Sequence, residues 1–253
     1  MLVYTGDMRI DSIGIVGYGA FGTLLHALIR RFAPGVSVRI HSSRHAPDGQ
    51  TFFSLEDAAV CDALILAVPI RAFEDTVAKV IPLMGAATVL VDVATVKVHT
   101  AEVLKGLASG RKYIATHPMW GPESYEKRGH DVTGFRIVIT DSTLDAGARA
   151  ALTAFLRKCG FDVVEMSPDE HDKNLAETLF LTHLIGQIVS RAGFRRTDID
   201  TVSFGHLMDA MESVRHDTDL FSDVYRYNPY CKNVLDRFAA SEKEVRGLLE
   251  RDA

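Results

Sequence analysis

The chain has few cysteines and no long apolar run. Its three cysteines, Cys61, Cys159 and Cys231, lie far apart and form no CxxC pair, so buried reduced thiols are expected rather than a disulfide or a zinc site. No spacing of His, Cys and carboxylate residues resembles a metal-binding motif, and no metal is predicted. No apolar run approaches the roughly 18 residues that a membrane span needs.

Clustered charge of one sign is also absent. The net charge is −5 over 253 residues, without a run of like charges, which argues against a nucleic-acid-binding surface and favours small-molecule ligands. The N-terminal stretch MLVYTGDMRI has Asp7 where a signal peptide would need an unbroken apolar core. A cytoplasmic location is therefore expected.

The first two thirds of the chain alternate between short β-branched runs and helical patterns. The runs are SIGIVG, SVRIH, ALILAV, ATVLVDV, KYIATH, FRIVIT and DVVEM. This alternation predicts an α/β domain with a mostly parallel sheet. Beyond Met166 only amphipathic helical patterns follow. We therefore predict a Rossmann-like nucleotide-binding domain over residues 1–166 and an all-helical domain over residues 167–253.

The sequence IGIVGYGAFG places Gly17, Gly19 and Gly22 between an apolar strand and an apolar-periodic helix. This GxGxxG spacing allows a tight turn, a close approach of a pyrophosphate to the backbone, and close packing of helix and strand. The turn, including Ala20 and Phe21, is predicted to bind a dinucleotide. The alternative is a simple glycine-rich turn.

The end of the second strand bears on the choice of cofactor. An Asp or Glu here would favour NAD, but the sequence reads His41-Ser42-Ser43-Arg44-His45. Arg44 can bind a 2′-phosphate, with hydrogen bonds from Ser42 and Ser43. NADP is predicted, NAD remains possible, and a solvated polar loop is the alternative. The third strand closes at Val68 and Pro69, which are also predicted to contact the cofactor.

Polar side chains follow two further apolar strands. VLVDVATVK carries Asp92, Thr95 and Lys97, and KYIATHP ends at His117. Ligands of open α/β sheets bind beyond the carboxyl ends of the strands, and a histidine there can accept a proton while hydride leaves the substrate. His117 is therefore predicted to be a catalytic base. The alternative is a histidine that only makes hydrogen bonds at the end of a strand.

The motifs GYGAFG, LAVP, DVATVK, THPMWGPES, EMSPDEHDK and FLTHLIGQ together resemble the prephenate and arogenate dehydrogenases, above all the plant-type arogenate enzymes. The resemblance runs from about Ile10 to Asn228. It implies a Rossmann-like domain, a helical dimerisation domain and the oxidative decarboxylation of a cyclohexadienyl substrate. A homodimer is therefore expected.

The resemblance also implies roles for single residues. Thr95 stands where relatives have a serine near the substrate hydroxyl, although it is equally a β-branched residue at a strand end. Lys97 either assists anion binding or is a solvated lysine of a first helical turn. The resemblance implies a substrate site lined by Met119, Trp120 and Gly121, with Trp120 over its mouth or under the loop. GPES is expected to begin a loop that closes over a small anion.

The helical domain departs from bacterial relatives. LTHLIG keeps His183 but has Gly186 at the position of a second histidine. His183 either lines the substrate site or is a hydrogen-bonded core histidine. The bacterial arginine that holds a substrate carboxylate has no clear match, and Arg215, Lys127 and Arg128 are the candidates.

Asp217 falls where plant-type arogenate enzymes carry an aspartate, and a carboxylate there would favour the ammonium of arogenate over the keto group of prephenate. A helix N-cap is the alternative role. For the whole chain, two other functions compete: a two-domain reductase of the β-hydroxyacid or imine type, and a nucleotide-binding sensor without catalysis.

Overall fold

The computed structural model describes residues 3–5 and 8–251, with side chains from residue 9 onward. Asp7, on which the expectation about a leader segment depends, lies outside the described residues. The chain divides into two compact units, Met1–Pro168 and Asp169–Ala253. The nucleotide-binding and dimerisation roles assigned to the two parts of the chain stay predictions.

The first unit is built on a sheet of β-branched and aliphatic strands. The described strands are β1 (Val3–Thr5), β2 (Met8–Ile10), β3 (Ser12–Val16), β4 (Ser37–His41), β5 (Ala63–Leu66), β6 (Val89–Asp92), β7 (Lys112–Pro118), β8 (Arg136–Ser142) and β9 (Asp162–Glu165). β1 and β2 form a short antiparallel pair that the alternating pattern did not predict. The other seven form one sheet in the order β4-β3-β5-β6-β7-β8-β9.

The sheet is parallel except at one pairing, so that β8 and β9 run opposite to the other five strands. β8 pairs antiparallel with β7, and β9 again pairs parallel with β8. Each of the seven apolar runs in the sequence forms one strand of this sheet. The predicted fold class, a mostly parallel sheet followed by a helical region, is confirmed.

Helices cover the sheet between the strands. They are α1 (Ala20–Phe32), α2 (Leu55–Ala59), α3 (Phe73–Val80), α4 (Val98–Leu107), α5 (Pro122–Lys127) and α6 (Ala146–Lys158). α5 corrects the expectation that GPES begins a loop. Gly121 is its N-cap and Pro122 its first residue, because proline has no N–H to lose at that position and its fixed φ suits a first turn.

All regular secondary structure in the described residues of the second unit is helical. α7 (Pro168–Leu175) continues through a π-helical turn, Ala176–Phe180, into α8 (Leu181–Arg191). α9 (Val202–Val214), α10 (Thr218–Tyr227) and α11 (Cys231–Arg251) follow. None of the helices in the described part of the chain is long and apolar enough to cross a membrane.

A buried polar cluster joins helices within the second unit. His171 Nδ1 lies 2.8 Å from Asp172 Oδ1, and the Asn228 amide donates to the Asp172 carbonyl at 2.8 Å. Cys231 is buried beside them, and burial together with the Asp172 charge raises the pKa of its thiol to about 12. The three cysteines are free thiols, and Cys159 corrects the expectation of full burial because it is only partly buried.

Candidate active site

The glycine turn between β3 and α1 has the geometry that its sequence requires. Gly17 has φ 103°, and a Cβ there would lie 2.3 Å from the Ala67 carbonyl oxygen. A Cβ on Gly22 would lie 2.2 Å from the Gly17 carbonyl oxygen, so α1 packs directly against the turn. Neither position accepts a side chain without displacement of backbone.

The same turn leaves room where a phosphate would approach. A Cβ on Gly19 would meet nothing within 4 Å. Gly19 is the N-cap of α1 without a side-chain cap, and the first turn, which contains Ala20 and Phe21, has no acidic residue. The partial positive charge of the helix N-terminus and its N–H groups therefore suit a pyrophosphate. The residues present fit a dinucleotide cofactor.

The segment after β4 carries the predicted 2′-phosphate residues. Ser42 is buried and its Oγ accepts from the Arg44 N–H at 3.2 Å, whereas Ser43 and Arg44 are exposed. The next carboxylate along the chain is Asp48, which accepts hydrogen bonds from backbone N–H groups of its own loop. The bonds from Gln50, Phe52 and Thr51 hold the pKa of Asp48 below its ordinary value. No carboxylate stands among residues 41–45.

An aromatic cluster beside this segment was not predicted. The His45 ring stacks on Phe52 with centroids 4.2 Å apart, and Tyr18 of the glycine turn packs edge-on against Phe52 at 5.3 Å. Because these residues lie far apart in sequence and follow no helical or strand period, only the fold brings them together. The cluster lies next to Ser42, whose Oγ is 3.3 Å from His45 Nδ1.

The sheet register aligns the ends of four strands. Val16, Leu66, Asp92 and Ala115 form one row across β3, β5, β6 and β7. At about 4.8 Å per strand, this row spans about 14 Å. The structure therefore brings four predicted groups to one edge of the sheet: the glycine turn, Val68 with Pro69, the segment that carries Thr95, and His117.

At this edge Thr95 and His117 differ in exposure. Thr95 lies in the segment after β6 and is partly exposed. His117 is the sixth residue of β7 and is buried, with 5% of its surface exposed. Both positions follow the end of the β6–β7 pairing at Asp92 and Ala115.

Lys97 does not have the surroundings that the sequence suggested. Its side chain is completely buried, and its ammonium donates to Asp92 Oδ2 at 2.7 Å and to the Thr116 carbonyl at 2.6 Å. The interpretation as a solvated lysine is therefore wrong. Because the Lys97 side chain has no exposed surface, it also cannot contact a substrate anion directly.

The residues after His117 separate into surface and core. Met119 is exposed and Gly121 caps α5, but Trp120 is 8% exposed and packs nearly parallel to Phe135 and Phe161 at 5.3 and 5.5 Å. Of the two positions expected for Trp120, over the mouth of the site or under the loop, the structure has the second, which leaves the ring little surface for a substrate. The ring belongs to the apolar core under the loop, because two aromatic neighbours cover it.

The second unit places His183 close to Asp217. His183 is buried in α8, stacks on Phe221 at 6.2 Å, and its Nδ1 has no hydrogen-bond partner among the described residues. Burial lowers the pKa of His183, and the Asp217 charge opposes that effect. The interpretation as a hydrogen-bonded core histidine is therefore wrong for Nδ1. Asp217 is exposed at the N-cap position of α10, but its side chain caps none of that helix's N–H groups.

Gln187, one turn after His183, is a residue that sequence reasoning missed. Its buried amide donates to the carbonyls of Val214 and Arg215, both at 3.1 Å, and so fixes the turn that precedes Asp217. Its spacing of four from His183 on one helix face was the available signal. Arg215 itself is exposed and donates to His216 at 3.0 Å.

The other two candidates for a carboxylate clamp lie in the first unit. Lys127 pairs with Glu123 at 2.6 Å on the surface of α5. Arg128 lies over the Phe135 ring at 4.9 Å and donates to the Thr133 carbonyl. Among the described residues no group of three or more His, Cys, Asp or Glu side chains is arranged to hold a metal ion.

A mostly parallel sheet whose first strand, β3, leads through a GxGxxG turn into a helix is typical of dinucleotide-binding proteins. Comparison with known proteins narrows the class. Residues 45–165 match the family "prephenate dehydrogenase, nucleotide-binding domain", and residues 188–253 match "TYRAAT1-like, C-terminal domain".

Two curated relatives come from Arabidopsis thaliana. The chain is 31% identical to arogenate dehydrogenase 1, chloroplastic, over 94% of its own length and 39% of that protein. It is 30% identical to arogenate dehydrogenase 2, chloroplastic, over 95% of its own length and 71% of that protein. The chain thus spans well under half of the first relative and about seven tenths of the second.

A solved structure gives the same fold. The prephenate dehydrogenase from A. aeolicus, in complex with hydroxyphenyl propionate and NAD+, aligns with a TM-score of 0.74 and 18% identity, over 97% of this chain and 93% of that chain. The chain belongs to the prephenate and arogenate dehydrogenase family of NAD(P)-dependent oxidoreductases. The predicted resemblance, including that to plant-type enzymes, is confirmed.

Proposed function

We propose that the protein catalyses the NADP-dependent oxidative decarboxylation of arogenate to tyrosine, of prephenate to 4-hydroxyphenylpyruvate, or of both. The observation that carries the proposal is the row of strand ends, which sets His117 and Thr95 on the same sheet edge as the glycine turn. The arogenate dehydrogenases among the relatives support the substrate class.

The chemistry assigns a proton transfer to this chain. Bound NADP supplies the acceptor for the hydride that leaves the ring carbon bearing the hydroxyl. His117 accepts the hydroxyl proton as that hydride leaves, and the Thr95 hydroxyl orients the same oxygen. The electrons of the carbon–carboxylate bond then enter the ring as CO₂ departs, and the oxygen regains a proton as a phenol. Aromatisation makes the sequence effectively irreversible.

The preference for NADP is supported by charge at the end of β4. Arg44 is exposed and available for a 2′-phosphate, and no carboxylate follows β4 before Asp48, which is bonded to its own loop. A carboxylate at this position would repel the phosphate, whereas a guanidinium pairs with it. Ser42 and Ser43 add hydroxyl groups beside Arg44.

The substrate preference is proposed to depend on Asp217. Its carboxylate is exposed, caps none of the N–H groups of α10 and lies near the buried His183 ring. The positive charge of an ammonium group would complement it. Asp217→Asn removes this charge without a change of shape, so the ratio of arogenate to prephenate turnover should fall. Asp219→Asn removes a neighbouring carboxylate from the first turn of the same helix and serves as the control. An unchanged ratio in Asp217→Asn would rule the role out.

The function itself is tested by NADPH formation. Purified protein is assayed with arogenate and prephenate, each with NADP and NAD, and turnover with at least one pair is expected. His117→Asn should lower kcat about 10² to 10⁴-fold, the usual contribution of general acid–base catalysis. His130→Asn is the matched control, since His130 is exposed and has φ 67°, a conformation that asparagine adopts readily. No turnover by wild-type protein that binds NADP would contradict the proposal.

We also propose that the active protein is a homodimer formed through the helical unit. The second half of α11 exposes Val245, Leu248 and Leu249, which are 56%, 56% and 72% exposed. Aliphatic residues exposed next to one another on a helix mark a contact surface more often than scattered single residues do.

A further inference from the structure

β7 extends further than its neighbour β6. The β6–β7 pairing ends at Asp92 and Ala115, yet β7 continues through Thr116, His117 and Pro118. On the other side these three residues still pair with β8, after a register shift between Ala115 and Thr116. His117 therefore lies on a strand end that β6 no longer supports.

Lys97 supplies a hydrogen bond at the point where the ladder stops. Its ammonium donates to the Thr116 carbonyl, one residue before His117, at 2.6 Å. The ammonium also donates to Asp92 Oδ2, the carboxylate at the end of β6, at 2.7 Å. Both side chains of this ion pair are completely buried, where an ammonium is tolerated only with partners of this kind.

The same ion pair closes the segment that carries Thr95. Asp92 and Lys97 lie at the two ends of residues 92–97, and the other Asp92 oxygen accepts the Ala94 N–H at 2.7 Å. The Thr116 hydroxyl adds a second tie between the strands, donating to the Asp92 carbonyl at 2.8 Å. The segment that carries Thr95 and the strand residue before His117 are thus joined through a short chain of buried hydrogen bonds.

We propose that Lys97, paired with Asp92, is a positioning residue that fixes His117 relative to Thr95. This role rests on the function proposed above, and it replaces anion binding as the reason for a lysine at this position. Lys97 has no exposed side-chain surface with which to contact substrate or cofactor. A buried ion pair is weak as a source of stability, because apolar or neutral replacements of the whole pair are often tolerated. Alignment of two reacting groups, by contrast, depends on distances of less than 1 Å.

The test uses Lys97→Met/Asp92→Asn, which removes both charges together and leaves no unpaired buried carboxylate. Lys105→Met is the matched control, because it removes a lysine from the exposed face of α4, where Lys105 pairs with Asp141 at 3.7 Å. Thr116→Val removes only the hydroxyl tie. The dissociation constant and stoichiometry of NADP are measured by fluorescence titration, and kcat is expressed per NADP-binding site, so that a smaller folded fraction does not imitate a slower enzyme.

The double variant should bind NADP with unchanged affinity and keep its KM, while kcat falls about 100-fold, the loss expected for misplacement by about 1 Å. Thr116→Val should show a smaller loss of kcat in the same direction, and Lys105→Met none. Wild-type kcat in the double variant would overturn the inference. A double variant that does not fold would also overturn it, since the pair would then be needed for folding rather than alignment. No turnover by the wild type would instead refute the proposed function, and the inference with it.

Discussion

At the level of single residues, His183 links burial to pH. Burial lowers the pKa of His183 from its ordinary value of 6.5, while Asp217 acts in the opposite direction. Between the lowered pKa and 6.5 the unfolded chain binds more protons than the folded chain, so protonation favours unfolding. The contribution of His183 to stability is therefore complete above 6.5 and is lost as the pH falls through the lowered value.

We expect wild-type protein to lose more stability than His183→Leu between about pH 7.5 and about pH 5.5, a range that brackets the ordinary pKa of histidine. Urea unfolding midpoints at the two pH values measure the difference. The other titratable groups are common to both proteins, so their effects cancel in the comparison. Parallel pH dependence in the two proteins would contradict the prediction.

The sequence predicted some residue environments and missed others for identifiable reasons. The glycines were readable because only a missing Cβ permits the contacts at Gly17 and Gly22. Lys97 was misjudged because its partners, Asp92 and the Thr116 carbonyl, come together only when two strands pair. The position of Trp120, over the site mouth or under the loop, stayed open because its aromatic neighbours Phe135 and Phe161 come from later segments of the chain.

At the level of secondary structure, the strands were predictable because alternating apolar runs with helical connections have few other solutions. α5 was missed because its six residues are too few to show a hydrophobic period. The π-helical turn at Ala176–Phe180 also leaves no local signature, since the flanking sequence continues a helical pattern on both sides. Such a turn inserts one extra residue and rotates the face that α8 presents.

The packing of α8 against α9 makes a prediction about Gly186. A Cβ there would lie 2.4 Å from Val214 Cγ2 and 3.4 Å from Met211 Cα. Val214 is in a helix, where a β-branched side chain has one preferred rotamer and yields little. Gly186→Ala should therefore lower the free energy of unfolding by about 1–3 kcal/mol from overpacking, offset by up to about 1 kcal/mol of helix propensity.

The measurement is chemical denaturation with two companion variants. In a Val214→Ala background, Gly186→Ala should lower the free energy of unfolding by less than it does in the wild type, because the clashing methyl group is gone. Gly247→Ala, in α11, is the control, since its Cβ would meet nothing within 4 Å and it should stabilise by up to about 1 kcal/mol. Gly186→Ala as stable as Gly247→Ala would refute the close contact. The same contact explains why a histidine at position 186 does not fit this chain.

For the whole molecule, the family was predictable because its motifs are spread through the chain. GYGAFG, DVATVK and THPMWGPES lie at three strand ends of one sheet edge, so the fold gives the separate motifs a common location. The cofactor and substrate preferences follow less directly. They depend on single side chains, Arg44 and Asp217, whose surroundings are set by loops and helix ends.

The proposed dimer is expected to form through an apolar groove on α11. The groove runs along one side of α11 and is lined by the apolar Phe238, Val245 and Leu249 together with the polar Ser241, Glu242 and Arg246. Covering such a stripe with its own copy is the simplest closed arrangement, since a two-fold axis pairs identical surfaces. Val245→Glu/Leu249→Glu places two like charges in that contact and should give a monomer, because unpaired buried carboxylates are costly.

Size-exclusion chromatography with light scattering measures the mass of both proteins. Lys243→Glu is the matched control, because it changes the net charge by the same −2 as the double variant. Lys243 precedes Val245 by two residues, so its side chain points about 200° away from that of Val245 around the helix axis. Wild type and Lys243→Glu should both elute as dimers. A monomeric wild type would contradict the proposed dimer. A dimeric double variant would show that the dimer forms through a surface other than this groove. A monomeric variant with unchanged kcat would show that each chain carries its own complete catalytic site.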